Sequence, residues 1–135
     1  MPAIFCHSFN ILIPPKKYFE AHPEWFSQIK GESRSDAQLC LTNEDVLLEL
    51  TRNVKDWLKR DPDIDHFWVS QNDIGSGACE CARCAAVDAE EDSLSGTLIR
   101  FVNAVADEVG KSHPDVKIET LAYHHTRKPP KITKP

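Results

Sequence analysis

The sequence predicts an α/β fold: a partial (β/α) TIM-barrel-like segment with about three parallel strands, two main helices and long loops after the strands. Three observations carry the prediction. Strand-like and helix-like runs alternate along the chain, which is the pattern of a parallel sheet with crossover connections. Helix-to-strand connections are short, roughly Asp61 to Ile64 and Lys111 to Asp115, whereas strand-to-helix connections are long, Asn10 to Leu41 and Asn72 to Asp92. The two long connections emerge on one face and carry four cysteines between them. In α/β folds the loops that follow strand C-termini build the site, and structureless loops of this length are uncommon unless they are functional.

Each element has a local reason. Ala3 to Phe9 is a short apolar run, read as the first strand. The first helix starts near Thr42 or Asn43, with Glu44 or Asp45 in its first turn. Val46, Leu47, Leu50, Val54 and Leu58 keep helical spacing, and Asp61-Pro62 stops the run. The second strand is placed at about Asp65 to Ser70. The second helix starts at Ser93 or Ser95, carries Leu98, Val102, Val105 and Val109 on one face, and ends at Gly110 and His113-Pro114. Val116 to Tyr123 reads as the third strand. Residues 1–125 form the barrel-like segment and 126–135 a Pro/Lys-rich extended tail. A closed barrel takes eight strands and about 250 residues, so three strands predict a piece of a longer enzyme; a natural Pro-rich tail is the alternative.

Composition narrows the partners. The 135 residues are 41% hydrophobic and 27% charged, with a net charge of −5, one domain at most. Mild acidity speaks against a nucleic-acid partner, which usually demands a basic face. Arg127, Lys128, Lys131 and Lys134 do cluster, but among prolines, as a solvated segment would. No run approaches the ~18 apolar residues of a membrane span, and Met1-Pro2-Ala3-Ile4 does not open a secretion signal. Localisation is left unassigned.

The chemistry concentrates in Cys79-Glu80-Cys81-Ala82-Arg83-Cys84, where three thiols fall within six residues. A structural zinc site wants four ligands, and Cys40 in the other long loop supplies a fourth. The same residues could instead form disulfides, for example Cys40 to one cluster cysteine with Cys6 buried as a small hydrophobe, or remain plain thiols. An odd count of five cysteines does not choose. Asn72-Asp73 closes the second strand, where a carboxylate serves as general acid, base or hydrogen-bond acceptor; Asn-Asp is also ordinary turn chemistry. Paired-carboxylate chemistry needs a second acid, and Glu24, Glu32 and the run Asp88 to Asp92 are the candidates, the run being more simply a solvated approach to a helix N-terminus. His7, Tyr123 and His124 cap the first and third strands and would line one rim with Asp73, as polar and aromatic groups line a sugar cleft. Trp25 supplies a stacking surface, or the loop's own core. There is no phosphate-cradling glycine loop, nucleophile elbow or zinc-protease helix.

Several stretches in register carry a family resemblance: Pro14-Pro15-Lys16-Lys17-Tyr18-Phe19, His22-Pro23-Glu24-Trp25-Phe26, Gln38-Leu39-Cys40-Leu41-Thr42-Asn43, Val69-Ser70-Gln71-Asn72-Asp73, the CxCxxC cluster, Ser95 to Asn103, and Leu121-Ala122-Tyr123. Together they resemble the bacterial domain of unknown function 4838 family over nearly the whole chain. The resemblance implies a glycoside-hydrolase-like barrel related to α-glucuronidases and hexosaminidases, in large and often exported proteins. It therefore implies a carbohydrate partner, an internal piece of a longer barrel, and an isolated chain without activity of its own. On this reading Asp73 is catalytic; His7, Asn72, Tyr123, His124 and Trp25 bind substrate; and Cys40, Cys79, Cys81 and Cys84 brace the loops around a structural zinc or as disulfides. The rivals are a non-catalytic carbohydrate-binding module and a small cysteine-rich zinc-binding domain.

Overall fold

The computed structural model describes residues 6–135. Two long helices, α3 (Glu44–Arg60) and α5 (Ser95–Ser112), pack on each other and on a two-stranded parallel sheet of β3 (His66–Trp68) and β4 (Lys117–Glu119). Asn43 caps α3 as expected, its side-chain oxygen accepting the amides of Asp45 at 2.9 Å and Val46 at 3.3 Å. The stripe Val46, Leu50, Val54 and Leu58 is buried against Leu98, Val102, Val105 and Val109 of α5, with Phe67 of β3 fully enclosed. Each such side chain contributes about 1.5–3 kcal/mol by leaving water.

The expected three-stranded parallel barrel segment is not what forms. The described residues make a small mixed α/β domain with two separate two-stranded sheets, one antiparallel and one parallel. Only the second and third expected strands pair in parallel, with Phe67 opposite Ile118. Of the first expected strand, Ala3, Ile4 and Phe5 lie outside the described residues, and Phe9 opens a one-turn helix, α1 (Phe9–Leu12). The amides of Ser8 and Phe9 both turn onto the Ser70 carbonyl, at 3.2 and 3.1 Å, so the chain bends away beside β3 instead of continuing along it. A short apolar run fits a buried strand or a buried helical turn equally well, and burial of Phe9 and Leu12 is satisfied by the turn.

The long connections are also structured. The first contains α2 (Pro15–Tyr18), a 3-10 turn (Pro23–Trp25) and an antiparallel hairpin of β1 (Phe26–Gln28) and β2 (Arg34–Leu39), irregular between its two register pairs. The second contains α4 (Ala82–Glu90). The acidic run that closes it is not merely solvated: Asp88 is buried and accepts the Thr97 amide at 3.2 Å, and Glu91 is wholly enclosed. Among the described residues no helix is long and apolar enough to cross a membrane.

Candidate metal centre and a polar rim

Four thiols converge between the two long connections. Cys40 follows β2, and its amide is fixed to the Trp25 carbonyl at 2.9 Å. Trp25 is itself wedged between Tyr18 and His22, with ring centroids 5.3 and 4.2 Å away. Across from Cys40, the Glu80 amide donates to the Gln28 carbonyl at 2.7 Å, while the Glu80 carboxylate accepts the Lys30 amide at 3.1 Å. The hairpin thus holds the CxCxxC loop at Glu80 through both its amide and its carboxylate. Cys81 is the N-cap of α4 and Cys84 lies in its first turn, where the helix amides favour thiolates.

The Sγ atoms of Cys40, Cys79, Cys81 and Cys84 all lie within 4.8 Å of one another. Cys40 Sγ is 3.8 Å from both Cys81 Sγ and Cys84 Sγ. That is far from the roughly 2.05 Å of a disulfide, and no cysteine among the described residues is bonded to another. It matches the edge of a tetrahedron with metal–sulfur bonds of about 2.3 Å, which works out at about 3.8 Å. Cys40, Cys79 and Cys84 are buried and Cys81 is half-buried. Four buried-to-half-buried thiols at this spacing can hold a metal ion with no position left open for substrate.

Electrostatics favour a thiolate at Cys40, with its neighbours as donors. Hydrogen bonds from the Cys79 and Cys84 thiols, outweighing burial, hold Cys40 far below the usual thiol range, and Thr42 and Arg34 add to the effect. Donating to that thiolate pushes Cys79 up to about 11 and Cys84 well above its ordinary value. Arg34 and Thr42 complete the surroundings, and the sequence reading did not single them out. Arg34 Nη1 lies 3.7 Å from Cys79 Sγ while donating to the Phe26 carbonyl at 2.9 Å. Thr42 Oγ1 lies 3.3 Å from Cys84 Sγ. The only sequence signal for Thr42 is its place two residues beyond Cys40.

Four of the remaining candidates meet at a second place. Tyr123 donates its hydroxyl to Asp73 Oδ1 at 3.0 Å, and that contact raises the phenol's pKa. His7 Nε2 lies 3.9 Å from Asp73 Oδ1, and its Nδ1 is paired with the Gln71 carbonyl at 2.8 Å. The His7 and His124 rings stand 5.3 and 3.9 Å from the Tyr123 ring. His124 takes φ +50°, a costly left-handed conformation for a residue with a Cβ. Asp73 is the open member, its side chain 65% exposed.

Asn72 and Trp25 stand elsewhere. The Asn72 side chain is buried, bonded to Asn10 and the Ala37 carbonyl. Trp25 is enclosed beneath Cys40, and its indole nitrogen finds no hydrogen-bond partner among the described residues.

No curated protein and no solved structure matches the chain. One family does, the Domain of unknown function (DUF4838), and its match runs over residues 1–135. With the stretches around Cys40, Asp73 and the CxCxxC cluster all inside that span, this chain belongs to the DUF4838 family.

Proposed function

We propose that this chain is a metal-stapled unit of a carbohydrate-active protein, with zinc at the tetracysteine centre as a structural ion. The observation that carries the metal reading is the 3.8 Å spacing of Cys40 Sγ from Cys81 Sγ and Cys84 Sγ, the edge of a closed four-sulfur tetrahedron. Zinc suits it because four thiolates in a closed set are a structural zinc arrangement, with no open position for a bound water. The ion would tie the β1–β2 hairpin to the start of α4, two segments that share few apolar contacts of their own. Native mass spectrometry of the chain purified under reducing conditions tests this: one zinc per chain is expected, and a metal-free folded chain sinks it.

The carbohydrate reading rests on the rim. An exposed carboxylate held by a tyrosine hydroxyl, with His7 beside it and His124 against the tyrosine ring, offers acceptors, donors and ring faces together, the mixture that sugar hydroxyls and pyranose faces engage. Asp73 would accept from a sugar hydroxyl, or act on the glycosidic bond where a second carboxylate is supplied; Tyr123, His7 and His124 would orient the ring. Binding of oligosaccharides to the zinc-loaded chain by calorimetry or ligand-observed NMR tests this. An Asp73→Asn chain that binds as well as the unaltered one removes Asp73 from the site.

A further inference from the structure

The metal centre and the rim are joined by one buried latch. Gln38 lies two residues before Cys40 in β2, and Asn72 lies one residue before Asp73. The two make a reciprocal amide pair: Gln38 Nε2 donates to the Asn72 carbonyl at 3.1 Å, and the Asn72 amide donates to Gln38 Oε1 at 3.0 Å. Asn72 Nδ2 then donates to the Ala37 carbonyl at 2.8 Å. Gln38 is only 4% exposed and Asn72 6%, so these bonds do not exchange with water, and losing one partner leaves the other buried and unsatisfied. On the other side of Gln38, its own amide donates to Ser27 Oγ at 3.2 Å. Gly77, at φ +88°, passes so close to this strand that a Cβ there would lie 2.9 Å from the Ala37 Cβ. The 72–79 segment therefore meets β2 at Asn72, Gly77 and Cys79, while residues 73–76 between them are exposed.

We infer that Gln38 is a positioning residue through which the metal centre sets the placement of Asp73 at the rim. The inference rests on the metal reading above. With the ion bound, Cys40 and Cys79 tie one end of the contact through the metal, and Gln38 holds the other at the backbone of Asn72, so that Asp73 meets Tyr123. Without the ion, the two segments keep the latch and the contact of Arg34 with Cys79 but lose the tie between Cys40 and Cys79.

The chain has two tyrosines, Tyr18 and Tyr123, so incorporation of 3-fluorotyrosine gives two fluorine resonances, one at the rim and one, from the buried Tyr18 bonded to Glu49, as an internal reference for the zinc-loaded chains. Asp73→Ala defines the Tyr123 resonance with the contact broken. In zinc-loaded Gln38→Met, which keeps the side-chain volume and removes both hydrogen bonds, the Tyr123 resonance should travel at least half of the way to that position. Tyr18 and the zinc stoichiometry should stay unchanged. Chelation of the unaltered chain should move Tyr123 in the same direction. If Gln38→Met does not fold, Gln38→Glu, which keeps only the acceptor, should give a smaller displacement. A chain that takes up no zinc fails the metal reading and this inference with it. A chain that loads with zinc but whose Tyr123 resonance is the same in the unaltered and Gln38-substituted forms overturns the coupling alone.

Discussion

Glu91 grips Thr133. The buried carboxylate accepts the Thr133 amide at 2.9 Å through Oε1 and the Thr133 hydroxyl through Oε2. Oε1 also takes the Ile132 amide at 2.8 Å, and Arg100 Nε reaches Oε2 at 2.7 Å. Together with the Ser93 and Ser95 hydroxyls, both donating to the Lys128 carbonyl at 2.6 Å, this lays residues 128–133 along the start of α5.

The grip predicts a pH dependence with a definite sign. The Thr133 hydroxyl, then the Thr133 and Ile132 amides and Arg100, overcome burial and hold the Glu91 pKa at about 2, below its ordinary 4.5. A carboxyl with a depressed folded-state pKa stabilises the fold above its unfolded value and loses that contribution as pH falls through the folded one. Glu91→Gln should therefore lower the unfolding temperature at pH 6–7 and free residues 128–133 to protease. The gap between the two chains should narrow as pH drops from about 4.5 toward 2. Comparing the chains at each pH removes the separate effect of acid on the metal centre.

Metal removal should be the largest single perturbation. Structural zinc sites supply about 10–16 kcal/mol of apparent binding energy near neutral pH, against a net stability of about 5–15 kcal/mol for an ordinary domain. Chelation, or Cys40→Ser or Cys84→Ser, should abolish stoichiometric zinc and lower the unfolding temperature steeply, with β1–β2 and α4 losing hydrogen-exchange protection before α3 and α5. Uniform loss of protection would show that the ion supports the whole domain, not the two connections.

Much of the helical frame was legible because it obeys one period. In α3 the buried set Val46, Leu50, Val54 and Leu58 is the stripe that the sequence shows, closed by an Asn cap. The short elements were not, because their stability is not written in their own residues. β2 runs Arg34-Ser35-Asp36-Ala37-Gln38-Leu39, with no apolar alternation; it is a strand because it pairs with β1 and its end carries Cys40. α4 buries only Cys84 and Asp88, a thiol and a carboxylate that no hydropathy pattern marks as core. The CxCxxC cluster, with Cys40 in the other long loop, did suggest a set of four thiols, and the structure brings those same four together. The meeting of Tyr123 with Asp73, fifty positions apart, was expected from their places at strand ends, and it depends on β3 and β4 lying side by side.

Arg34 should matter to metal affinity although it is not a ligand. A four-thiolate zinc centre carries two net negative charges, and Arg34 places a cation beside it, with Nη1 3.7 Å from Cys79 Sγ. Outer partners of metal ligands typically account for about 10–100-fold in affinity. Arg34→Met should weaken zinc binding by about that factor in a competitive chelator titration. Thr42→Val, which removes the hydroxyl beside Cys84 Sγ, should weaken it less, since no charge is lost. Unchanged affinity in Arg34→Met would mean that solvent compensates the centre's charge.

Two glycines in α5 should respond to the same substitution with opposite signs. A Cβ on Gly110 meets nothing within 4 Å, so Gly110→Ala adds no clash and reduces the freedom of the unfolded chain. It should stabilise the domain by about 0.5–1 kcal/mol. A Cβ on Gly96 would sit 2.6 and 2.7 Å from Cβ and Cγ of Glu91. Glu91 cannot step aside, because its carboxylate is pinned by Ile132, Thr133 and Arg100. Gly96→Ala should therefore destabilise by about 1–3 kcal/mol, the ordinary cost of overpacking, and should loosen residues 131–133 at the same time. In a Glu91→Ala background the crowding atom beyond Cβ is gone and the grip is already released, so the penalty of Gly96→Ala should shrink. Equal penalties in the two backgrounds, measured by denaturant unfolding, would show that the Cβ of residue 91, which both keep, and not the pinned Glu91 carboxylate, requires the glycine.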